Sequence, residues 1–231
     1  NTAGLTTSGN TTLSSAGTVT QSAAITAAGL ELLGTNGIYT LTNTSNAITT
    51  LAGNTGTISF AEGSGFAIGT VNTIGLITSG NTTFNVNGTV TQSNLLNVTG
   101  LELLGSNGTY TLTNASNAVT TLAGNTKTVS LTENSGLAIG TVNTVGLTTS
   151  GNITLTVNGT VTQDQVIAAA GLELLGSNGT YTLTNTGNTI TTLAGNTKIV
   201  SFAGNSGFAI GTVNTAGLTT SGNTTLSSAG T

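Results

Sequence analysis

Apolar and hydroxyl-bearing residues alternate along this chain in short runs, as in Thr18-Val19-Thr20, Tyr39-Thr40-Leu41-Thr42, Thr57-Ile58-Ser59-Phe60 and Phe66-Ala67-Ile68. A period of two is that of a β-strand. It predicts a buried face of Val19, Tyr39, Leu41, Ile58, Phe60, Phe66 and Ile68 and a wet face of Thr18, Thr20, Thr40 and Thr42. Thr, Val, Asn and Gly are poor helix formers, so strands are expected almost throughout. Gly, Asn and Ser separate the runs. The pairs Asn36-Gly37, Asn107-Gly108, Asn178-Gly179, Asn87-Gly88 and Asn158-Gly159 tolerate positive φ and mark tight turns.

The alternation recurs on a longer scale. GLELLGTNGIYTLTN at 29–43 returns as GLELLGSNGTYTLTN at 100–114 and at 171–185, a period of 71 residues. TTLAGNT begins at Thr49, Thr120 and Thr191, and AIGTVNT at Ala67, Ala138 and Ala209, so no insertion separates the copies. The organisation is repeat 1 at 1–71, repeat 2 at 72–142, repeat 3 at 143–213 and the start of a further repeat at 214–231, which is identical to 1–18. Fixed spacing is what a solenoid needs, because one extra residue in a coil would throw its strands out of register. The fold class expected is all-β, a parallel β-helix with about three coils of about 23 to 24 residues per repeat, and Ile25, Ile48, Val71 and Leu96 as equivalent positions. The fragment reads as an internal piece of a longer array.

Exchanges between copies keep apolar character. Phe60 becomes Leu131 and Phe202, Phe66 becomes Leu137 and Phe208, and Phe84 matches Leu13, Leu155 and Leu226, as inward positions of a layered core would. Tyr39, Tyr110 and Tyr181 each need a partner for the hydroxyl, which a corner position would supply.

With SGNTTLSSAGTVTQ and SGFAIGTVNTAGLTTSGN on view, the whole chain resembles the shaft repeats of filamentous-haemagglutinin-type exoproteins. That resemblance implies a right-handed parallel β-helix, export by a two-partner or autotransporter route, a place at the bacterial cell surface or outside the cell, and a role as adhesin, biofilm scaffold or stalk.

Composition narrows the chemistry. The 231 residues hold no Cys, His, Pro, Met or Trp, two Lys, and six acidic residues for a net charge of −4, while 36% are hydrophobic. That is apolar enough for a core and too weakly basic for nucleic acid. No run approaches the roughly 18 to 20 apolar residues of a membrane-spanning helix. Without His or Cys there is no ready base, nucleophile or soft metal ligand, so no catalytic, cofactor or metal residues are assigned and no enzyme is expected.

The carboxylates remain. Glu31, Glu102 and Glu173, one per repeat, are read as solvated outward residues roughly 14 Å apart, too far for a catalytic pair. Glu62 and Glu133 correspond to Gly204 in the third copy, Asp164 stands where Ser93 stands, and Lys127 and Lys198 match Gly56, so none carries a function common to all copies. A calcium site would need several carboxylates and is not expected.

Asn10, Asn54 and Asn72, with their equivalents, are either stacked amide ladders or plain turn residues. The glycosylation-like triplets at Asn10, Asn81, Asn152 and Asn223 are read as turns. Thr-x-Thr runs at 18–20, 40–42, 89–91, 111–113, 160–162 and 182–184 suggest a threonine face for ice or a glycan, against which Ile58-Ser59-Phe60 and Ala67-Ile68-Gly69 interrupt the series. The expected function is the structural shaft of a secreted surface fibre. Its expected partners are further copies of its own repeats, lateral neighbours and cell-surface glycans, with no nucleic acid and no membrane insertion.

Overall fold

The computed structural model describes residues 4–230. They form a β-solenoid without helix, parallel strands stacked in about 11 turns with a spacing of roughly 21 residues. At ~4.8 Å per turn the rod is about 53 Å long. The longest strands are Ile25–Leu41, Leu96–Leu112 and Ile167–Leu183, each followed by a 16-residue strand, Ala47–Glu62, Ala118–Glu133 and Thr189–Gly204. One hydrogen-bonded sheet runs through all of them, so the repeats are phases of a continuous structure.

The alternation predicts the faces well. Tyr39, Leu41, Ile58, Phe60, Phe66 and Ile68 are buried, Val19 packs against the same core from the first turns, and Thr18, Thr20, Thr40 and Thr42 are exposed. Each fully buried Leu, Ile or Phe contributes roughly 1.5–3 kcal/mol. Phe66 stands edge-on to both Phe60 and Phe84, with ring centroids 5.4 and 5.3 Å apart, and Phe202 and Phe208 repeat the contact at 5.1 Å. Where the middle copy has Leu131 and Leu137, the same layers are filled by aliphatic side chains.

The turn is shorter than the third of a repeat that was expected. Stacked partners lead from Val19 through Tyr39, Ile58, Thr82, Leu101, Leu122 and Ile139 to Gln163. These seven steps span just over two whole repeats, since Gln163 lies just past Val161, the equivalent of Val19 two copies on. One repeat is therefore about three and a half turns. Ile25, Ile48, Val71 and Leu96 do not share a column: Ile48 stacks on Ala27, Leu96 on Leu76, and Val71 lies outside the sheet in a loop. The repeat thus divides into about three and a half turns and not three, which is why a third of it overestimates the turn.

The extra half turn decides where everything sits. In the first long strand the stretch 29–33 and the stretch 38–41 form two broad sides of one turn, joined at the bend between Gly34 and Ile38 where the ladder register shifts. Glu31 is on the first side and Thr40 on the second. One repeat later Glu102 stacks in the column Thr40, Ser59, Thr83, so it occupies the opposite side from Glu31. Equivalent residues alternate sides along the rod.

The bends are made differently from the expectation. Among the described residues only glycines have positive φ, and Gly37, Gly88 and Gly108 are not among the glycines that do. Gly34, Gly105 and Gly176 carry it instead, at φ 120, 115 and 120°. Gly37 is required by crowding: a Cβ there would lie 2.5 Å from the Ser15 carbonyl oxygen and 2.6 Å from Thr55 Oγ1. Thr55 itself is buried at this bend and donates to the Gly34 carbonyl at 2.9 Å, as Thr126 and Thr197 do to Gly105 and Gly176.

The tyrosines find the partners they need at the same bend. The Tyr39 hydroxyl lies 2.6 Å from the Leu33 carbonyl oxygen and 2.9 Å from that of Leu13 in the preceding turn, and Tyr110 and Tyr181 repeat the arrangement. Burial pushes all three phenols above their ordinary pKa.

Candidate functional site: a glutamate-anchored loop

Three of the most strictly repeated motifs meet on one side of the rod. Leu30 and Leu32 point into the core, so the strand period turns Glu31 of GLELLG outward. The loop 69–75, from AIGTVNT, then folds back over the sheet and covers that carboxylate. A bridge between Thr70 and Ile74 closes the loop, the Gly75 N–H donates to the Gly69 carbonyl at 2.8 Å, and Gly75 turns the chain at φ +76°. Beneath it lie Ala52 and Gly53 of TTLAGNT, both buried, with the Gly53 N–H donating to the Gly75 carbonyl. Gly29 leaves room for this packing, since a Cβ there would lie 2.6 Å from Asn10 Oδ1 and 2.9 Å from Val71 Cγ2 and would push those side chains aside.

Glu31 is thus 2% exposed, and the solvated position expected for it is corrected. The strand pattern does point it outward, but the loop that covers it comes from the junction with the next repeat. The carboxylate accepts five hydrogen bonds. Thr12 Oγ1 and Asn72 Nδ2 reach Oε2 at 2.8 and 2.7 Å, and the Thr73 N–H and hydroxyl reach Oε1 at 2.6 and 2.9 Å, with the Asn72 N–H at 3.2 Å. Burial alone would raise its pKa. The donors from Asn72, Thr12 and Thr73 outweigh that and hold it down at about 2.

Glu102 takes four of these bonds, from Thr83, the Asn143 amide and the Thr144 N–H and hydroxyl, and Glu173 takes all five from Thr154, Asn214 and Thr215. Both are held below the usual carboxylate range by donors that again overcome burial. A carboxylate so saturated has little left to offer a proton, a metal ion or a substrate. Its chemistry is that of a fastener, joining the turns of Thr12, Glu31 and Ala52 to the loop that follows them.

Comparison with protein-family models, curated proteins and solved structures gives no match for this chain. The site is read from its own geometry.

Asn72 spends its amide on Glu31 and not on an asparagine ladder, Asn10 packs over Gly29, and Asn54 is exposed. Asn81 lies within the strand Leu76–Val86, and Asn10 and Asn152 open the strands Asn10–Ser14 and Asn152–Val157, which corrects their reading as turns. Lys127 and Lys198 are exposed. Glu62 and Glu133 are buried. Glu62 accepts from the Ser64 hydroxyl at 2.9 Å and the Ile48 N–H at 3.4 Å, and burial pushes its pKa up. Glu133 accepts from the Val119 N–H at 2.7 Å and from the Ser135 N–H and hydroxyl.

A second polar node joins neighbouring turns inside the rod. Gln21 and Asn46, one turn apart, exchange amide bonds at 2.8 and 3.0 Å, and the buried Asn46 also bonds the Leu41 and Ala61 carbonyls and the Ile25 N–H. Gln92 with Asn117, and Gln163 with Asn188, repeat it. The only signal in the sequence is a Gln and an Asn at the same separation in every copy.

Proposed function

We propose that this chain is the shaft of a repetitive surface fibre, secreted by a bacterium and built for reach and stiffness, in line with the resemblance to filamentous-haemagglutinin-type exoproteins. The observation that carries the reading is the glutamate-anchored loop. In each repeat it ties successive turns together across one side of the rod, and the next repeat does the same on the other side. Braces that alternate sides resist bending in both directions, a property useful to a stalk and of no use to a single active site. Imaging of the full chain by electron cryo-microscopy tests this. Straight rods growing by about 17 Å per repeat are expected from about three and a half turns of ~4.8 Å each. Globular or flexible particles would sink the reading.

A second reading, a multivalent surface for glycans, is favoured by one feature. Thr111, Thr128, Ser130, Asn152 and Thr154 line a depression of about 390 Å³ beside Asn214, with uncharged hydroxyl and amide groups to offer. Repetition would supply avidity. The two readings separate in a binding assay of the three-repeat fragment on cells or sugar arrays: the shaft reading expects no binding. Ice is less suited to this surface, because the raised loops interrupt the flat threonine face.

A further inference from the structure

The same turns that carry a loop on one side carry a bare rank of hydroxyls on the other. Thr12, Glu31 and Ala52 lie beneath loop 69–75, and the far sides of these turns are Thr20, Thr40 and Ser59, stacked in one column. One repeat on, Thr83, Glu102 and Ala123 lie beneath loop 140–146, with Thr111 and Ser130 stacked behind the last two. In the third repeat Thr154, Glu173 and Ala194 lie beneath loop 211–217, with Thr162, Thr182 and Ser201 stacked behind. Loop and notch therefore stand back to back at every level, and exchange sides with every repeat.

We propose that copies of this chain associate side by side, axes parallel and turns level, with the loops of one rod seated in the hydroxyl notches of the next. It rests on the rod reading above. Because a loop and a notch occupy opposite sides of the same turns, a sideways translation with no axial shift sets every loop of one copy against a notch of its neighbour. No other stagger short of two repeats does so. The loops carry no charged residue, and the whole chain has only two lysines and six acids, so little repulsion opposes the approach. Ile74 and Val145 on the loops are 65% and 58% exposed, and Ile38 on a notch floor is 45% exposed, which gives apolar surface to cover on both sides of the contact. The contact is heterologous, since a loop side meets a notch side. It does not close, and it extends into a one-layer sheet of rods.

Electron cryo-microscopy and sedimentation of the full chain, wild type and two lysine variants, test the pairing. Ser59→Lys with Ser130→Lys and Ser201→Lys charges the notch floors. Ser45→Lys with Ser116→Lys and Thr186→Lys places the same charge on exposed bends. We expect sheets of level rods with an axial repeat of ~34 Å, seven turns of ~4.8 Å, from the wild type and the bend variant, and single rods with at least tenfold weaker association from the notch variant. Equal association of the two variants, rods staggered at arbitrary heights, or wild-type rods that stay single at all concentrations would overturn the pairing while leaving the shaft intact. An absence of rods would overturn both.

Discussion

Two kinds of buried carboxylate lie in this rod, and among the described residues neither has a cation beside it. Glu31, Glu102 and Glu173 are wrapped by a loop that brings amide and hydroxyl donors to both oxygens, and stay ionised well into acid. Glu62 has fewer donors, from Ser64 just after it and from Ile48 at the start of its own strand, and burial raises its pKa. The first kind recurs in all three copies and the second is Gly204 in the third. The number of donors delivered, more than depth, decides whether burial strengthens or weakens a charge. It also separates a position every repeat keeps from one that a repeat can lose.

Replacing the anchor should have the largest effect. Glu102→Leu leaves Thr83, Asn143 and Thr144 without their acceptor, and a loss of about 2–3 kcal/mol is expected in denaturant unfolding. Amide exchange should rise first in 140–146, and a uniform rise along the chain would show that the carboxylate does not hold the loop. Gly124→Ala tests the bed beneath the same loop. Its Cβ would lie 2.2 Å from the Leu103 carbonyl oxygen, and a cost of about 1–3 kcal/mol is expected from the forced separation of two turns.

Acid distinguishes the two kinds without mutation. The folded pKa of Glu31 lies below the unfolded value of about 4.3, so its stabilisation is complete above pH ~5 and is lost progressively as pH falls toward about 2. Glu62 has the opposite sign: its folded pKa is raised, so stability improves as pH falls toward the unfolded value. A melting-temperature profile should therefore rise slightly below neutral and drop below pH ~5, and Glu62→Gln should remove the rise. At neutral pH that substitution should change stability by no more than about 1 kcal/mol, the smallest of these effects. A drop as large as that of Glu102→Leu would show that Glu62 works as an ionised anchor after all.

Much of this fold is legible in the residues. Period-two alternation marks the inward columns, and the invariant spacing of the copies implies a solenoid, because both follow from local strand geometry. The cross-section is less so. Loop 69–75 has the same composition as the coil, and nothing local says that Val71 lies above the sheet and Leu76 within it. The site is hidden for a related reason. Glu31 meets Asn72 and Thr73 only because a loop reaches back over two turns, a contact between residues 41 and 42 apart that no window of strand pattern contains. The tyrosine hydroxyls are easier: a buried O–H requires an acceptor, and the bend supplies its carbonyls.

A repeat worth about three and a half turns also has a parity. Recombination between copies adds or removes one whole repeat at a time, and every such event preserves strand register while rotating everything beyond it by about half a revolution. Only changes in pairs restore the original heading. A lineage that lengthens its array by one copy would thus aim whatever lies beyond in the opposite direction, and array length becomes a setting of azimuth as well as of length.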